Sequence, residues 1–188
     1  MIMKLSVTKR AKATKKEAKR FRREGNIPAV IYSTRNDAEN IVVDGEEFAT
    51  AMRAIEKGGL PTTTFTLTDG EGKERRAVVK DIQYHITSYD ILHLDFVELF
   101  DDVTVRVNVP IRFKGVEKCE GIKLGGVLRS VIRYCNVSCL PADIPQQFVL
   151  DVSKLAMTQS LRLRDIAFSK GVKPLSNVDE VAVVIAKR

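Results

Sequence analysis

Two groups of residues in this chain could do chemistry: a histidine–aspartate pair, His93 and Asp95, and a run of cations from Lys4 to Arg23. His93 and Asp95 stand at i and i+2 in ILHLDFVEL, so on a strand they project from one face. A carboxylate beside an imidazole fixes its tautomer or raises its basicity. Such a pair can supply two metal ligands or a base with its orienting group. No third metal ligand stands near it in sequence, and no Ser or Cys can be assigned as a nucleophile. A structural role is therefore favoured over a catalytic one. Cys119, Cys135 and Cys139 form no CxxC and lie far in sequence from His85 and His93. They read as buried free thiols of a reducing compartment rather than a metal site. The glycine-rich stretch Gly121 to Gly126 lacks the Gly-Lys-Ser/Thr of a phosphate loop and reads as a turn. Nothing here calls for a cofactor.

The cation run is the stronger signal. KLSVTKRAKATKKEAKRFRR holds ten Lys or Arg and one acid, Glu17, a net +9 in a chain whose total is +7. Everything outside it sums to −2, so a near-neutral body carries a cationic front end. Clustered charge of this kind is the footprint of a polyanionic ligand. A solvated surface is the plain alternative, but the density of the run and its near lack of acid favour nucleic acid. A membrane surface would require a broad apolar face, and Ala18 with Phe21 is too little. Tyr32 ends the strand-like PAVIY. An aromatic there is ordinarily core, yet beside a cationic helix it becomes a candidate for stacking on an RNA base.

The elements that must hold these groups are short. Residues 5–8 read as a strand; Thr14 and Glu17 match a capping box, and Gly25 is a stop signal, which predicts a helix over about 15–24. IPAVIY and Ile41 to Val43 read as strands, and Phe48, Met52 and Ile55 mark a helix over Gly45 to Ile55. Thr63 to Thr68 and Arg75 to Asp81 form a hairpin about Asp69-Gly70-Glu71-Gly72, and Ile91 to Leu99 closes this half. A boundary falls near Phe100 to Asp102. Beyond it, Val103, Val105, Val107 and Val109 alternate with polar residues, and further short strands follow without a long amphipathic helix. This predicts a mainly β chain with a few short helices (α+β), as two domains, 1–100 and 101–188. No run approaches the ~20 apolar residues of a membrane span, and the start, MIMKLSVTKR, shows no secretory pattern. A cytoplasmic protein is the expectation.

The order of a basic helix ending RFRREG, then IPAVIY, VVKDIQYH and ILHLDFVEL resembles the bacterial large-subunit ribosomal protein family L25, which binds 5S ribosomal RNA. VPIRFKGVEKCEGIKLGGVL and CLPADIPQQFVLDVSKL extend the likeness to its long, CTC-type general stress form, so that it covers essentially the whole chain. The resemblance implies an N-terminal six-stranded β-barrel with helices and a β-rich C-terminal domain. It also implies a non-enzymatic, ribosome-associated role in which 5S rRNA is bound at loop E and the other partners are large-subunit components; a monomer off the ribosome is the separate expectation. Carried over by residue, the RNA face falls on Arg10, Lys15, Lys19, Arg20, Arg22, Tyr32, His93 and Asp95, with Gln83 and His85 nearby. The chain departs from the family where glycines of the basic segment are replaced in AKATKKEAKRFRREG, where Lys19 stands for an arginine, and at Ser33 after the strand tyrosine. The runner-up is a tRNA-binding module, since the barrel resembles the anticodon-binding domain of glutaminyl-tRNA synthetase. The C-terminal half shows no basic patch, which argues against strong RNA binding of its own, and Arg129, Arg133, Arg162 and Arg164 are its candidate contacts to a neighbouring ribosomal element.

Overall fold

A computed structural model describes residues 2–10 and 14–187. Ala11, Lys12 and Ala13 of the basic run lie outside the described residues. The chain divides into two compact units, Met1–Val103 and Thr104–Arg188.

In the first unit, β1 (Ile2–Lys9) leads to helix α1 (Lys15–Arg23), then β2 (Asn26–Tyr32), β3 (Glu39–Asp44), helix α2 (Gly45–Ala54), β4 (Thr64–Asp69), β5 (Glu74–Tyr84) and β6 (Ile91–Glu98). The six strands close into a barrel in the order β1-β3-β2-β6-β5-β4. Two of its pairings are parallel, β1 with β4 and β2 with β6. The expected alternation is observed. Ala29 and Ile31 of β2, and Leu94 and Phe96 of β6, fill the interior, while Tyr32, His93 and Asp95 stand outside. Phe48, Phe65 and Phe96 are fully buried with ring centroids 6.1 and 6.2 Å apart. Each such burial contributes about 1.5–3 kcal/mol.

Local chemistry starts and stops the two helices. The backbone N–H of Thr14 donates to Glu17 Oε2 at 2.8 Å, one half of the expected box. Gly25 takes φ +82° just past the end of α1. Asp44 Oδ1 accepts from the N–H groups of Glu46 and Glu47 at the start of α2. The two helix ends meet: a Cβ on Gly45 would lie 2.1 Å from the Gly25 carbonyl oxygen. Only glycine allows this approach.

The second unit contains β7 (Val105–Lys114), a one-turn helix α3 (Glu120–Lys123), β8 (Val127–Ser130), β9 (Tyr134–Cys139), β10 (Phe148–Asp151), β11 (Ser160–Arg162), β12 (Lys173–Pro174) and β13 (Val181–Ala186). They form a four-stranded sheet, β10-β7-β9-β12, and a three-stranded sheet, β11-β13-β8. All three cysteines are buried and free. The stretch from Gly121 does not read as a simple turn once folded. Gly121 is buried within α3, where a Cβ would come within 2.9 Å of the Ala156 backbone and the Ile185 side chain. The glycine is there for close packing, which spacing in sequence does not reveal.

Candidate nucleic-acid interface

The outer face of the barrel across β2, β6 and β5 gathers four of the residues singled out from the sequence. β2 and β6 pair in parallel with Val30 opposite Asp95 and Tyr32 opposite Val97. β6 and β5 pair antiparallel with His93 opposite Gln83 and Asp95 opposite Asp81. Gln83 reaches this face because the register slips between Val79 and Asp81. Ala77 and Val79 point inward, and unbroken alternation would send Asp81 and Gln83 inward as well. The bulge reverses the phase: Ile82 packs on the core, and Asp81 and Gln83 turn out. Asp81 was not identified from the sequence, since only the bulge and the pairing with Asp95 make it part of the face.

His93 Nδ1 lies 2.7 Å from Asp95 Oδ1. A carboxylate can only accept, so in the neutral ring the proton sits on Nδ1 and Nε2 is left as an acceptor. His85 is held the other way. In the turn after β5, the Ser88 backbone N–H donates to its Nδ1 at 3.3 Å, and the Ser88 and Thr87 hydroxyls lie 3.1 Å from the same atom. Its Nε2 is therefore a donor, and the ring is exposed. Burial, then the carboxylates of Asp95 and Asp81, push the Tyr32 hydroxyl above its ordinary pKa, so it stays a donor at neutral pH.

Helix α1 packs on β2 through Ala18 and Phe21, both half-buried. Arg22 pins it from the side, its Nε donating to the Leu92 carbonyl of β6 at 3.0 Å. At 100° per residue, Lys15, Lys19 and Arg22 share one flank of the helix. Arg20 lies on the opposite flank, 3.4 Å from Glu24 and with its guanidinium 5.4 Å from the centre of the Phe21 ring. Arg10 follows β1, with Nε 3.1 Å from the Ile41 carbonyl. Burial is the main cause lowering its pKa, and the Glu17 and Arg22 charges are felt there too. A cleft of about 920 Å³ opens between the end of α1, α2 and the β5–β6 turn, with Arg22, Arg53, Glu46 and His85 on its walls.

The arrangement separates two tasks. Lys and Arg on α1 attract phosphate, while Asp81 and Asp95 repel it. A polyanion on this surface must set its backbone against the helix and turn base edges or 2′-hydroxyls to the barrel face. There Tyr32, Gln83, His93 and Asp95 offer both donors and acceptors. Among the described residues, no group of three or more His, Cys, Asp or Glu could hold a metal ion.

The profile described as Ribosomal L25p family matches residues 5–96, and the one described as Ribosomal protein TL5, C-terminal domain, matches residues 104–188. The chain is 47% identical over 186 residues to a protein of Chlamydia muridarum (strain MoPn / Nigg) named large ribosomal subunit protein bL25, covering 99% of this chain and 100% of that one. Proteins of the same name from Chlamydia abortus (strain DSM 27085 / S26/3) and Chlamydia pneumoniae are 45% and 42% identical over the same coverage.

Proposed function

We propose, from the premise that the chain belongs to the L25p family of ribosomal proteins in its two-domain form, that its barrel unit binds 5S ribosomal RNA at loop E. The chain is a structural ribosomal protein of the large subunit rather than an enzyme. The finer reading, a 5S partner and a defined face, rests on one observation above all. Tyr32, Gln83, His93 and Asp95 share one outer face, and Arg22 fastens the cationic helix to its edge. Lys15, Lys19, Arg22 and Arg10 neutralise phosphates and release counterions, with Arg20 adding charge from the opposite flank of the helix. The barrel face then reads base edges. In a regular RNA duplex the major groove is too narrow for side chains and the shallow minor groove shows a uniform set of edges, so a loop whose non-standard pairs change those edges suits this polar face of donors and acceptors.

The test is a salt-titrated binding assay with 5S RNA, a loop E mutant and a tRNA. With six or more phosphate contacts, affinity for 5S RNA should fall about a thousandfold between ~50 and ~200 mM salt. His93→Ala should cost about tenfold, the scale of one base-edge contact. The double variant Arg20→Glu/Arg22→Glu should abolish binding. Lys15→Glu/Lys19→Glu tests phosphate attraction without touching the Arg22 anchor. Equal affinity for all three RNAs would reduce the front end to a general cationic arm, and a preference for tRNA would replace the 5S reading.

A further inference from the structure

One concave surface of the barrel unit lies outside the polar face of β2, β6 and β5. The cleft between the end of α1, α2 and the β5–β6 turn measures about 920 Å³, within the ~300–1,000 Å³ range of small-ligand sites. Helical spacing builds one wall. Glu46, Ala49, Thr50 and Arg53 stand at i, i+3, i+4 and i+7 of α2 and all line the cleft, with the small pair between the charged ends. Arg53 is exposed, and among the described residues no hydrogen bond or ion pair holds its side chain.

The turn after β5 builds the other wall. The His85 N–H donates to the Asp90 carbonyl at 2.8 Å, and the Tyr89 N–H to the His85 carbonyl at 3.0 Å. These bonds, with those on His85 Nδ1, hold Tyr89 at φ +58° while its side chain stays 77% exposed. Left-handed backbone is costly for any residue but glycine, and such cost is commonly borne at ligand clamps. The turn thus fixes an aromatic ring beside the cleft instead of burying it.

The walls carry both signs, since Arg22 and Arg53 are matched by Glu46 and Asp90. A run of phosphates would meet as much repulsion as attraction there. A single nucleotide is different. Its phosphate is anionic, its base edge donates N–H groups that carboxylates accept, and its base stacks on an aromatic ring. Asp90 Oδ2 accepts from the Ser88 hydroxyl at 2.5 Å, which leaves Glu46 as the main acceptor. Arg22 belongs both to this cleft and to the cationic flank of α1. Its Nε bond to the Leu92 carbonyl leaves the terminal nitrogens for a phosphate.

We propose that this cleft takes one unpaired nucleotide of the RNA held on the barrel face, with its phosphate on Arg53 and Arg22, its base on Tyr89 and its base N–H groups on Glu46. This rests on the RNA reading of the barrel, and it adds Arg53, Glu46 and Tyr89, none of them legible as a site in the sequence.

The experiment binds the full chain to 5S RNA and maps the complex with dimethyl sulfate and a 2′-hydroxyl acylating reagent. Tyr89→Ala should expose one nucleotide that the wild-type chain protects and weaken binding about tenfold, and Tyr89→Phe should do neither. Arg53→Gln should weaken binding and reduce the log–log salt slope by about 0.7–1. Both side chains are exposed, so the thermal transition should not move. His93→Ala should weaken binding without exposing that nucleotide. Unchanged binding and protection in both cleft variants, with His93→Ala still impaired, overturns the cleft inference alone and leaves the cleft to a protein segment. Adenosine monophosphate held by the wild-type chain and not by Arg53→Gln, with RNA protection unchanged, overturns the RNA source and gives the cleft to a free nucleotide. A wild-type chain that holds 5S RNA no better than tRNA overturns the barrel reading and this one with it.

Discussion

The two units carry cations in opposite ways. In the barrel unit, ten of seventeen Lys and Arg fall within twenty consecutive residues, and the remainder of that unit holds seven cations against sixteen acids. Attraction is confined to one helix and its approach, beside a face that contains carboxylates. In the second unit, cations are spread along the chain and acids are few. The near-neutral body read from the sequence is therefore two bodies of opposite sign whose charges cancel in the sum. A helix or arm collects consecutive residues into one patch, whereas a sheet face collects every second residue from strands far apart in sequence. Equal charge thus produces a visible run in one unit and none in the other. The barrel pattern suits oriented docking with discrimination between base edges.

The units also differ in how their cores close, and the largest expected effects lie there. Phe96→Ala empties the centre of a closed barrel where three phenylalanine rings meet, and should cost about 3–5 kcal/mol in denaturant unfolding. Leu150→Ala, on an outer strand of an open sheet, should cost less, near ~2 kcal/mol. Equal losses would break the contrast between the two cores. Gly45→Ala should cost about 1–3 kcal/mol, because its Cβ meets backbone rather than a movable side chain. Full stability of that variant would show that the ends of α1 and α2 do not abut.

Titration sharpens the contrast from the barrel side. The folded state raises the Tyr32 pKa above its unfolded value near ~10, so its contribution is complete below that pH and lost as pH rises through the folded value. Absorbance titration should show Asp95→Asn lowering the Tyr32 pKa, since that carboxylate is the second cause after burial. No change would remove Asp95 from the Tyr32 surroundings. The smallest effect belongs to the Arg20 flank of α1. Glu24→Gln removes an i,i+4 pair with Arg20 whose side chains are 64% and 50% exposed. About 0.3–0.5 kcal/mol is expected at low salt, vanishing at high salt in thermal melts.

Local signals in the sequence already determined much of this protein. Thr14, Glu17 and Gly25 bound α1, Asp69 to Gly72 turns the β4–β5 hairpin, and strict alternation places His93 and Asp95 on one side of β6. These are contacts among near neighbours, and residue type and spacing suffice to state them. Tertiary structure alone decided what depends on distant partners. Tyr32 feels the charge of Asp95 because β2 and β6, far apart in sequence, pair as parallel neighbours in the barrel. Gln83 and Asp81 join that face only through a one-residue slip against β6, which no local pattern announces. Arg106 and Lys173 fall into one row only because both flank Ser138. Strand pairing is set by which buried faces fit together, and a single residue of shift moves a side chain from core to solvent.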